Sequence, residues 1–552
     1  MTDTLIKLNI TGMTCPGCAS HVQTALGRVP GVKHVDVPGW QSSVANVTAD
    51  ANVTDETLIE AVSAAGYGAA VIDRVPLAEA PTIDTNASDF DLLVIGGGSG
   101  GFAAAIAASE LDRRVGMIND GVIGGTCVNV GCVPSKTLLR AAQANHMAGA
   151  HPFKGVNTRQ DAPDWPTIRA EKDALVAALR QSKYVDVLAA YPNVTLIEGR
   201  AQFEPDGAIT VGERRITADR TVIATGARPK RLPLPGLEEA DPLDSTRLLD
   251  LPTLPESLIV LGGRAVAVEL GQMMARLGVR VLILQRSSRL IPEHEPEIGR
   301  ALKEALEQEG IGVITGVQVE RLSRDGNQRV VHARVMGQMR EFRADQILMA
   351  TGRQPNTDGL GLDRVGVDTD ANGAILTNDF LQTTNPAIYA AGDVTTRPQF
   401  VYVAAAAGGI AARHAFGAET GPLDLSAMPA VIFSDPQVAT VGLTESQARV
   451  AGYTVMTSTL DLKHVPRAQA ARDTRGLIKL VADEVSGRLL GAHILAAEGG
   501  EVIQSAALAV KFDLTVDDLA SSLFPYLTQV EGLKLAALNF KKDVTMLSCC
   551  AV

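Results

Sequence analysis

One stretch near residue 96 constrains the fold more than any other part of the chain. An apolar run at residues 90–95 leads directly into the letters GGGSGG at residues 96–101, and an alanine-rich run follows. Strand, glycine turn and helix in this order make a βα unit, in which Gly96, Gly98 and Gly101 complete the pattern G-x-G-x-x-G. Such glycines let a pyrophosphate approach the helix N-terminus. A glycine turn without a ligand is the alternative for the motif alone.

The residue that should bind a ribose is replaced in this unit. An acidic residue normally ends the second strand of such a unit and hydrogen-bonds the ribose. That strand is predicted at residues 115–118, and Asn119 and then Asp120 follow it. We therefore expect a shifted or amide-mediated hydrogen bond to the ribose.

A second strand–turn–helix pattern begins at residue 258, with a degraded glycine motif. Arg264 occupies the usual position of the second glycine, and Ala267 that of the third. The strand predicted at residues 279–284 is followed by Arg286 where an acidic residue is usual. An arginine there can pair with a 2′-phosphate, which favours NADPH over NADH. A solvated surface residue is the alternative for Arg286.

Two cysteines, Cys127 and Cys132, lie in the glycine-rich stretch GGTCVNVGCVPSK at residues 124–136. The helix-compatible run that follows places Cys132 near a helix N-terminus, where the dipole favours a thiolate. Because the pair lies beside a nucleotide-binding unit, we interpret it as a redox centre rather than a structural disulfide. The stretch resembles the active-site signature of the pyridine nucleotide-disulfide oxidoreductases, the family of glutathione reductase and dihydrolipoyl dehydrogenase.

This resemblance implies an α/β protein with two Rossmann-like nucleotide-binding domains and an α+β interface domain, assembled as a homodimer. It identifies the unit after residue 258 as an NADPH-binding domain, inserted between chain crossings at residues 221–226 and 347–353. Residues 388–393 resemble the second flavin fingerprint, and Lys136 is expected near the flavin ring, paired with Glu269. By the same resemblance, FAD contacts carry over to Gly96, Gly98, Gly101, Gly121, Thr126, Lys136, Ala201, Asp393 and Val401.

The N-terminal residues form a separate module. Residues 1–72 are predicted as strand, helix, strand, strand, helix, strand, the order of a small ferredoxin-like βαββαβ domain. Cys15 and Cys18, within GMTCPGC, can reach one ion from an exposed loop, and soft thiolates select Cu(I), Zn(II) and Hg(II). The stretch resembles the heavy-metal-associated domain of copper chaperones and metal pumps, and a thioredoxin-like C-x-x-C is the alternative. Residues 73–88 are predicted to be a flexible linker.

The last part of the interface domain distinguishes between substrate classes. In the disulfide reductases of this family, a histidine oriented by a glutamate protonates the leaving thiol. The corresponding run is FPYLTQVE at residues 524–531, which contains no histidine, so this general acid is missing. Cys549 and Cys550 follow on a predicted mobile tail, and adjacent thiols can chelate a soft ion. A redox relay is the alternative for this pair.

Taken together, these features resemble the members of the family that reduce Hg(II), over essentially the full length. The resemblance implies that NADPH reduces FAD and that the flavin reduces the Cys127–Cys132 disulfide. Hg(II) arrives as a thiol complex, optionally on the N-terminal cysteine pair. It then passes from Cys549 and Cys550 of the partner subunit to the Cys127–Cys132 pair and is reduced to volatile Hg(0).

Two tyrosines enter by the same resemblance. Tyr184 and Tyr526 match tyrosines that line the metal site in relatives, and packing by its ring is the alternative for Tyr184.

Two other functions stay open at this point. One is a disulfide reductase of the glutathione reductase type, and the other is a metal-sequestering or copper-delivery protein whose flavoprotein half is vestigial.

Composition narrows the choice of partners. The 552 residues carry a net charge of −12, which argues against nucleic acid or an anionic membrane as the main partner. No secretory signal or membrane-spanning segment is evident, so we expect a cytoplasmic protein with small-molecule partners, Hg(II)–thiol complexes among them, and possible metal transfer from a membrane mercury transporter. The predicted domains are a heavy-metal-associated domain at 1–72, the linker at 73–88, an FAD-binding domain at 89–235 and 359–428, an NADPH-binding domain at 236–358, and a dimerisation domain at 429–552.

Overall fold

The computed structural model describes residues 3–13, 16–37, 43–50, 52–76 and 88–546. The chain divides into two compact units, Met1–Ala87 and Ser88–Val552. Every helix among the described residues is too short or too polar to span a lipid bilayer.

The first unit is a four-stranded antiparallel sheet with two helices. The strand order is β2-β3-β1-β4, which confirms the predicted ferredoxin-like arrangement. Alternate residues of β1, namely Ile6, Leu8 and Ile10, are fully buried, as expected for a strand that faces the core on one side. The elements are β1 (Asp3–Thr11), α1 (Pro16–Gly27), β2 (Val32–Asp36), β3 (Val44–Asp50), α2 (Asp55–Ala64) and β4 (Gly68–Pro76).

The last strand of this unit extends beyond the boundary predicted at residue 72. β4 continues to Pro76, and Arg74 donates hydrogen bonds to the Asp55 carboxylate and to the Val53 carbonyl at the start of α2. Because these contacts hold the strand to the domain, residues 73–76 are part of the fold rather than of the linker. The rest of the predicted linker, up to residue 87, lies outside the described residues.

The second unit begins with a five-stranded parallel sheet in the order β21-β11-β5-β6-β7. α3 packs on this sheet, and its run of alanines is buried between the sheet and α12. The elements up to the first chain crossing are β5 (Phe90–Ile95), α3 (Ser99–Ser109), β6 (Val115–Asn119), α4 (Gly125–Asn129), α5 (Cys132–Ala150), α6 (Trp165–Arg180), a π-helix (Gln181–Val185), α7 (Asp186–Ala189), β7 (Val194–Glu198), β8 (Ala201–Phe203), β9 (Ile209–Val211), β10 (Arg214–Ile216), β11 (Ala218–Ile223) and β12 (Ala227–Pro229).

A four-stranded parallel sheet, in the order β15-β14-β13-β19, forms the inserted nucleotide-binding domain. The two chain crossings that bracket it pair with each other, because β12 runs antiparallel to β20. The elements are α8 (Leu237–Ala240), α9 (Ser245–Leu249), β13 (Ser257–Leu261), α10 (Ala265–Arg276), β14 (Arg280–Gln285), α11 (Pro296–Gln308), β15 (Gly312–Thr315), β16 (Val317–Asp325), β17 (Gln328–Val335), β18 (Gln338–Ala344), β19 (Gln346–Met349) and β20 (Arg353–Pro355).

After the second crossing the chain returns to the first sheet and then builds the α+β domain. That domain is a five-stranded antiparallel sheet in the order β22-β23-β26-β25-β24. The elements are a 3₁₀-helix (Leu362–Val365), β21 (Ile388–Ala390), α12 (Val401–Ala415), β22 (Ala430–Ile432), β23 (Gln437–Gly442), α13 (Glu445–Val450), β24 (Val455–Asp461), a 3₁₀-helix (Leu462–His464), α14 (Pro466–Ala471), β25 (Leu477–Asp483), β26 (Leu489–Ala496), α15 (Gly499–Lys511), α16 (Val516–Ser521), α17 (Glu531–Leu538) and a 3₁₀-helix (Val544–Met546).

Candidate active site

A cavity of about 1440 Å³ brings most of the sequence-predicted residues of the second unit together. It lies at the carboxyl ends of β5 and β11, where ligands bind in open parallel sheets. Its walls come from the glycine turn after β5, the cysteine loop, the start of α10 and the start of α12. The predicted site residues that line it are Gly96, Gly98, Thr126, Cys127, Cys132, Lys136, Ala201, Glu269, Asp393 and Val401.

The glycine turn leaves room that any side chain would fill. A Cβ on Gly101 would lie 1.9 Å from the Gly96 carbonyl oxygen, so the first turn of α3 packs directly on the strand end. Gly125 has φ +64° and its missing Cβ would lie 2.7 Å from the Gly98 Cα, so the glycine turn and the cysteine loop touch through backbone alone. Backbone amides at the N-terminus of α3 therefore face the cavity, which is a cradle for an anionic pyrophosphate.

Two half-buried polar side chains on the opposite wall also fit such a ligand. Burial raises the pKa of the Asp393 carboxyl, and the nearby Arg353 guanidinium opposes that rise. The Arg353 Nε lies 3.5 Å from Asp393 Oδ2 and is buried without a hydrogen-bond partner among the described residues. A polar ligand with hydroxyl and phosphate groups would satisfy both. The residues therefore fit a flavin dinucleotide.

The Asn119 side chain is used by the protein itself. Its Oδ1 accepts a hydrogen bond from the Gly97 amide at 3.0 Å, and its Nδ2 donates to the Gly121 carbonyl at 2.8 Å. Asn119 thus ties the glycine turn to the next loop, whereas a ribose contact through its amide would have to compete with these bonds. Asp120, the next residue, lines the cavity with an exposed side chain.

The two cysteines are both reduced and adjacent. Cys127 lies on the short helix α4, and Cys132 is the first residue of α5. A hydrogen bond from the Cys127 thiol and, to a smaller extent, the charge of Lys136 lower the pKa of Cys132 to about 6, against the effect of burial. The same hydrogen bond and burial raise the pKa of Cys127. The pair is therefore one thiol and one thiolate near neutral pH, which is the state that exchanges ligands.

Lys136 is held by an ion pair across two domains. Its Nζ lies 2.7 Å from Glu269 Oε2, and the other Glu269 oxygen accepts a hydrogen bond from the Phe433 amide at 2.8 Å. The ammonium also lies 4.7 Å from the centroid of the Phe433 ring. Three segments of the chain, α5, α10 and the end of β22, thus fix one positive charge beside the thiolate.

The second nucleotide site is built without the usual glycines. Arg264 caps α10 with its backbone and lies 3.2 Å from Glu293, so a guanidinium stands where the motif normally has a small residue. Ala267 is fully buried, and its small side chain lets α10 pack on β13. Arg286 directly follows β14 and has an exposed side chain.

Neither of the two predicted tyrosines, Tyr184 and Tyr526, is among the residues that line the cavity. Tyr184 is in the π-helix, packs edge-on against Phe102 at 4.8 Å, and has its hydroxyl 3.4 Å from Ser99 Oγ. Tyr526 lies in the segment between α16 and α17 and is 57% exposed.

Cys18 is half-buried on α1, whereas Cys15, Cys549 and Cys550 lie outside the described residues. Within the described part of the chain, no group of three or more histidine, cysteine or carboxylate side chains could hold a metal.

Sequence reasoning missed several cavity residues. Burial and the charge of Cys132 raise the pKa of Tyr402 to about 12, and its hydroxyl donates to the Pro429 carbonyl. Arg180 donates from Nε to Asn129 Oδ1 at 2.6 Å, and Phe433 covers Lys136. Arg353 ends the second chain crossing at residues 347–353, which the sequence indicates. Nothing in the linear sequence places Tyr402, Arg180 or Phe433 beside the cysteine loop.

The fold and the site define a class: an oxidoreductase that couples a dithiol to a flavin and a pyridine nucleotide. Residues 90–408 match the pyridine nucleotide-disulphide oxidoreductase family, residues 428–537 its dimerisation domain, and residues 7–68 the heavy-metal-associated domain. The chain belongs to the mercuric reductases of that family.

Relatives cover the chain almost completely. The mercuric reductase of Lysinibacillus sphaericus is 46% identical over 545 residues, 99% of this chain and 99% of that protein. The mercuric reductase of Staphylococcus aureus is 46% identical over 552 residues and covers all of both chains. Among solved structures, the HOCl-induced flavoprotein disulfide reductase RclA from Escherichia coli has a TM-score of 0.73 and 31% identity, covering 81% of this chain and 99% of that one.

Proposed function

We propose that the protein is an NADPH-dependent FAD enzyme that reduces Hg(II) to volatile Hg(0) in mercury detoxification. The observation that carries the proposal is the thiol–thiolate pair of Cys127 and Cys132, which lines the cavity beside a fixed ammonium. Two adjacent soft sulfur ligands suit a linear thiophilic ion. The relatives named above as mercuric reductases support the choice of metal.

The chain's own residues hold the cofactor and the charges of the reaction. FAD would lie on the glycine turn, with Thr126, Ala201, Asp393 and Val401 on the other walls. When bound, the flavin accepts a hydride from NADPH and supplies two electrons at the dithiol. The Lys136–Glu269 pair holds a positive charge beside the Cys132 thiolate, and Cys127 is the exchange thiol.

The choice of NADPH rests on Arg286. Its exposed guanidinium follows β14, where it can pair with a 2′-phosphate. Arg286→Glu should therefore raise the KM for NADPH more than that for NADH. An equal change for both nucleotides would remove Arg286 from phosphate recognition.

Delivery of the metal is proposed to use the other two cysteine pairs. Hg(II) enters as a thiol complex, optionally on Cys15 and Cys18, and Cys549 and Cys550 of the partner subunit in a homodimer pass it to the dithiol. Tyr184 and Tyr526 are proposed to line the path. We further propose that the protein is cytoplasmic and receives metal from a membrane transporter. The proposed domain limits are those predicted from the sequence, with the first domain extended to the end of β4.

A second candidate is a disulfide reductase of the glutathione reductase type. It is favoured by the structural likeness to RclA, whose name describes a flavoprotein disulfide reductase. The missing histidine at residues 524–531 argues against it, because a leaving thiolate would not be protonated.

One assay separates the two candidates. The full chain is supplied with NADPH and either Hg(II) with excess thiol or oxidised glutathione, and both NADPH oxidation and gaseous Hg(0) are followed. We expect Hg(0) release and faster turnover with the metal. Faster turnover with the disulfide, or no release of Hg(0), would overturn the proposal.

The roles of the terminal cysteine pairs need variants of the same enzyme. Replacing Cys549 and Cys550 with Ala should abolish most turnover on thiol-bound Hg(II) while leaving flavin reduction by NADPH intact. Deleting residues 1–80 should leave the core active when small thiols are plentiful. Normal turnover of the first variant would refute the hand-off, and an inactive core would show that the first domain does more than deliver metal.

A further inference from the structure

Arg180 is a cation at the active-site loop with an unused binding face. It is the last residue of α6, is half-buried, and lines the cavity together with Cys127 and Asn129. Its Nε donates to Asn129 Oδ1 at 2.6 Å. Among the described residues, no carboxylate lies within 4.0 Å of its guanidinium, and its two Nη groups make no hydrogen bond.

The other described cations that line the same cavity each make an ion pair or donate a hydrogen bond from a terminal nitrogen. Lys136 pairs with Glu269, and Lys172 pairs with Asp250 at 2.7 Å. Arg353 lies beside Asp393. A guanidinium with two free Nη groups is therefore an exception on this wall, and its planar fork matches a carboxylate.

The position of Arg180 is fixed relative to the exchange thiol. Asn129 ends α4, the helix that carries Cys127, and its Nδ2 donates to the carbonyls of Ile123 and Gly125 at 2.9 Å each. The Arg180–Asn129 bond thus joins α6 to the loop that presents the cysteine. Because Nε makes this bond, the end of the guanidinium formed by the two Nη groups remains for another partner.

The helix around Arg180 is also locally irregular. A π-helix, Gln181–Val185, follows Arg180 directly, and such π segments occur often at functional sites. Within this segment the Tyr184 ring lies beside Gly124, since a Cβ on that glycine would be 3.3 Å from the ring. Residues 180 and 184 therefore both face the cysteine loop.

We propose that Arg180 docks the carboxylate of the small thiol that carries Hg(II), so that the substrates are Hg(II) complexes of carboxylate-bearing thiols. The inference rests on the proposed function. In the exchange, each protein sulfur forms a bond to mercury as one carrier sulfur leaves with its bonding electron pair. The metal stays Hg(II), and the one proton of the reduced pair leaves on one carrier, so that one thiol and one thiolate are released.

The test compares two carriers of similar size on the full-length enzyme, with gaseous Hg(0) as the readout. One carrier is 3-mercaptopropionate, which bears a carboxylate, and the other is 2-mercaptoethanol, which is neutral. Arg180→Gln should lower kcat/KM about tenfold for the carboxylate complex, as loss of a charge-assisted bond predicts, and leave the neutral complex within about twofold. Arg180→Lys should keep part of the preference because it keeps the charge.

Lys183→Gln is the matched control, because it removes the same charge from an exposed residue on the next turn. It should change neither carrier. If Arg180→Gln lowers both carriers equally, Arg180 only supports the loop and the inference is wrong. If Lys183→Gln reproduces the effect, the preference comes from general electrostatics. Failure of the unaltered enzyme to release Hg(0) from either carrier would instead refute the proposed function.

Discussion

The Lys136 ammonium and the Glu269 carboxylate form an ion pair of 2.7 Å between residues 133 positions apart in the chain. Glu269 is almost completely buried, and its second oxygen accepts the Phe433 amide, so its geometry is fixed from two sides. The pair places one charge of each sign at the boundary between the cysteine helix and the inserted nucleotide domain. The Lys136 ammonium is therefore held beside Cys132 only when α5 and α10 are packed together.

Glu269→Gln should slow the reduction of the enzyme by NADPH about tenfold, equivalent to about 1.4 kcal/mol. The amide can still accept the Phe433 N–H, but its NH₂ group would then face the ammonium and displace it. Rapid mixing with NADPH, followed by flavin absorbance, measures the rate. Glu304→Gln makes the same chemical change on the exposed face of α11 and should have no effect. An unchanged rate in Glu269→Gln would show that Lys136 needs no partner.

The Cys132 pKa of about 6 sets a pH limit on the reduced enzyme. Since this folded-state pKa lies below the ordinary thiol value, the thiolate persists at neutral pH and is protonated as the pH falls through about 6. Its contribution to the free energy of unfolding is complete only above the ordinary thiol pKa, and it is lost progressively as the pH falls from there through about 6. Lys136→Met should move that midpoint upward by about one unit, because an opposite charge is removed. Ultraviolet thiolate absorbance of the reduced protein as a function of pH measures it.

The exposed Lys154 provides the control for that titration. Lys154→Met changes the net charge equally but should leave the midpoint in place. A shift of equal size in both variants would mean that overall charge, rather than the residue beside the dithiol, sets the pKa of Cys132.

Asn119→Asp should weaken FAD binding about tenfold. The amide nitrogen now donates to the Gly121 carbonyl, and a carboxylate there would leave that carbonyl facing a negative charge. The Gly97 amide could still be satisfied, so the loss is confined to one bond. Fluorescence titration of the flavin-free protein with FAD measures the affinity. Tighter binding in Asn119→Asp would show that position 119 recognises the ribose after all.

Motifs that act through backbone and local order could be predicted from the sequence. The glycine turn, the start of α5 at Cys132 and the order of the first domain depend on nearby residues. Contacts between distant segments could not be derived from periodicity, because Arg180 meets Asn129, and Phe433 meets Lys136, only after separate segments have packed together. The predicted end of the first domain, residue 72, falls before the end of β4 at Pro76 for the same reason. Arg74 is held there by hydrogen bonds to Asp55 and to the Val53 carbonyl, which are distant in sequence.

Lys479→Met should destabilise the second unit by about 3 kcal/mol or more. The Lys479 ammonium is buried and contacts Glu295 at 2.9 Å, Glu445 at 3.0 Å and Glu297 at 3.3 Å, so it joins β25 to the inserted nucleotide domain. Removing the ammonium leaves the buried Glu295 carboxylate uncompensated, which costs far more than loss of an exposed pair. Lys463→Met is the control, because that side chain is 62% exposed beside Asp461 and its loss should cost less than about 1 kcal/mol. Denaturant unfolding of both variants gives the two free energies, and equal values would mean that the buried cluster contributes no more than a surface ion pair.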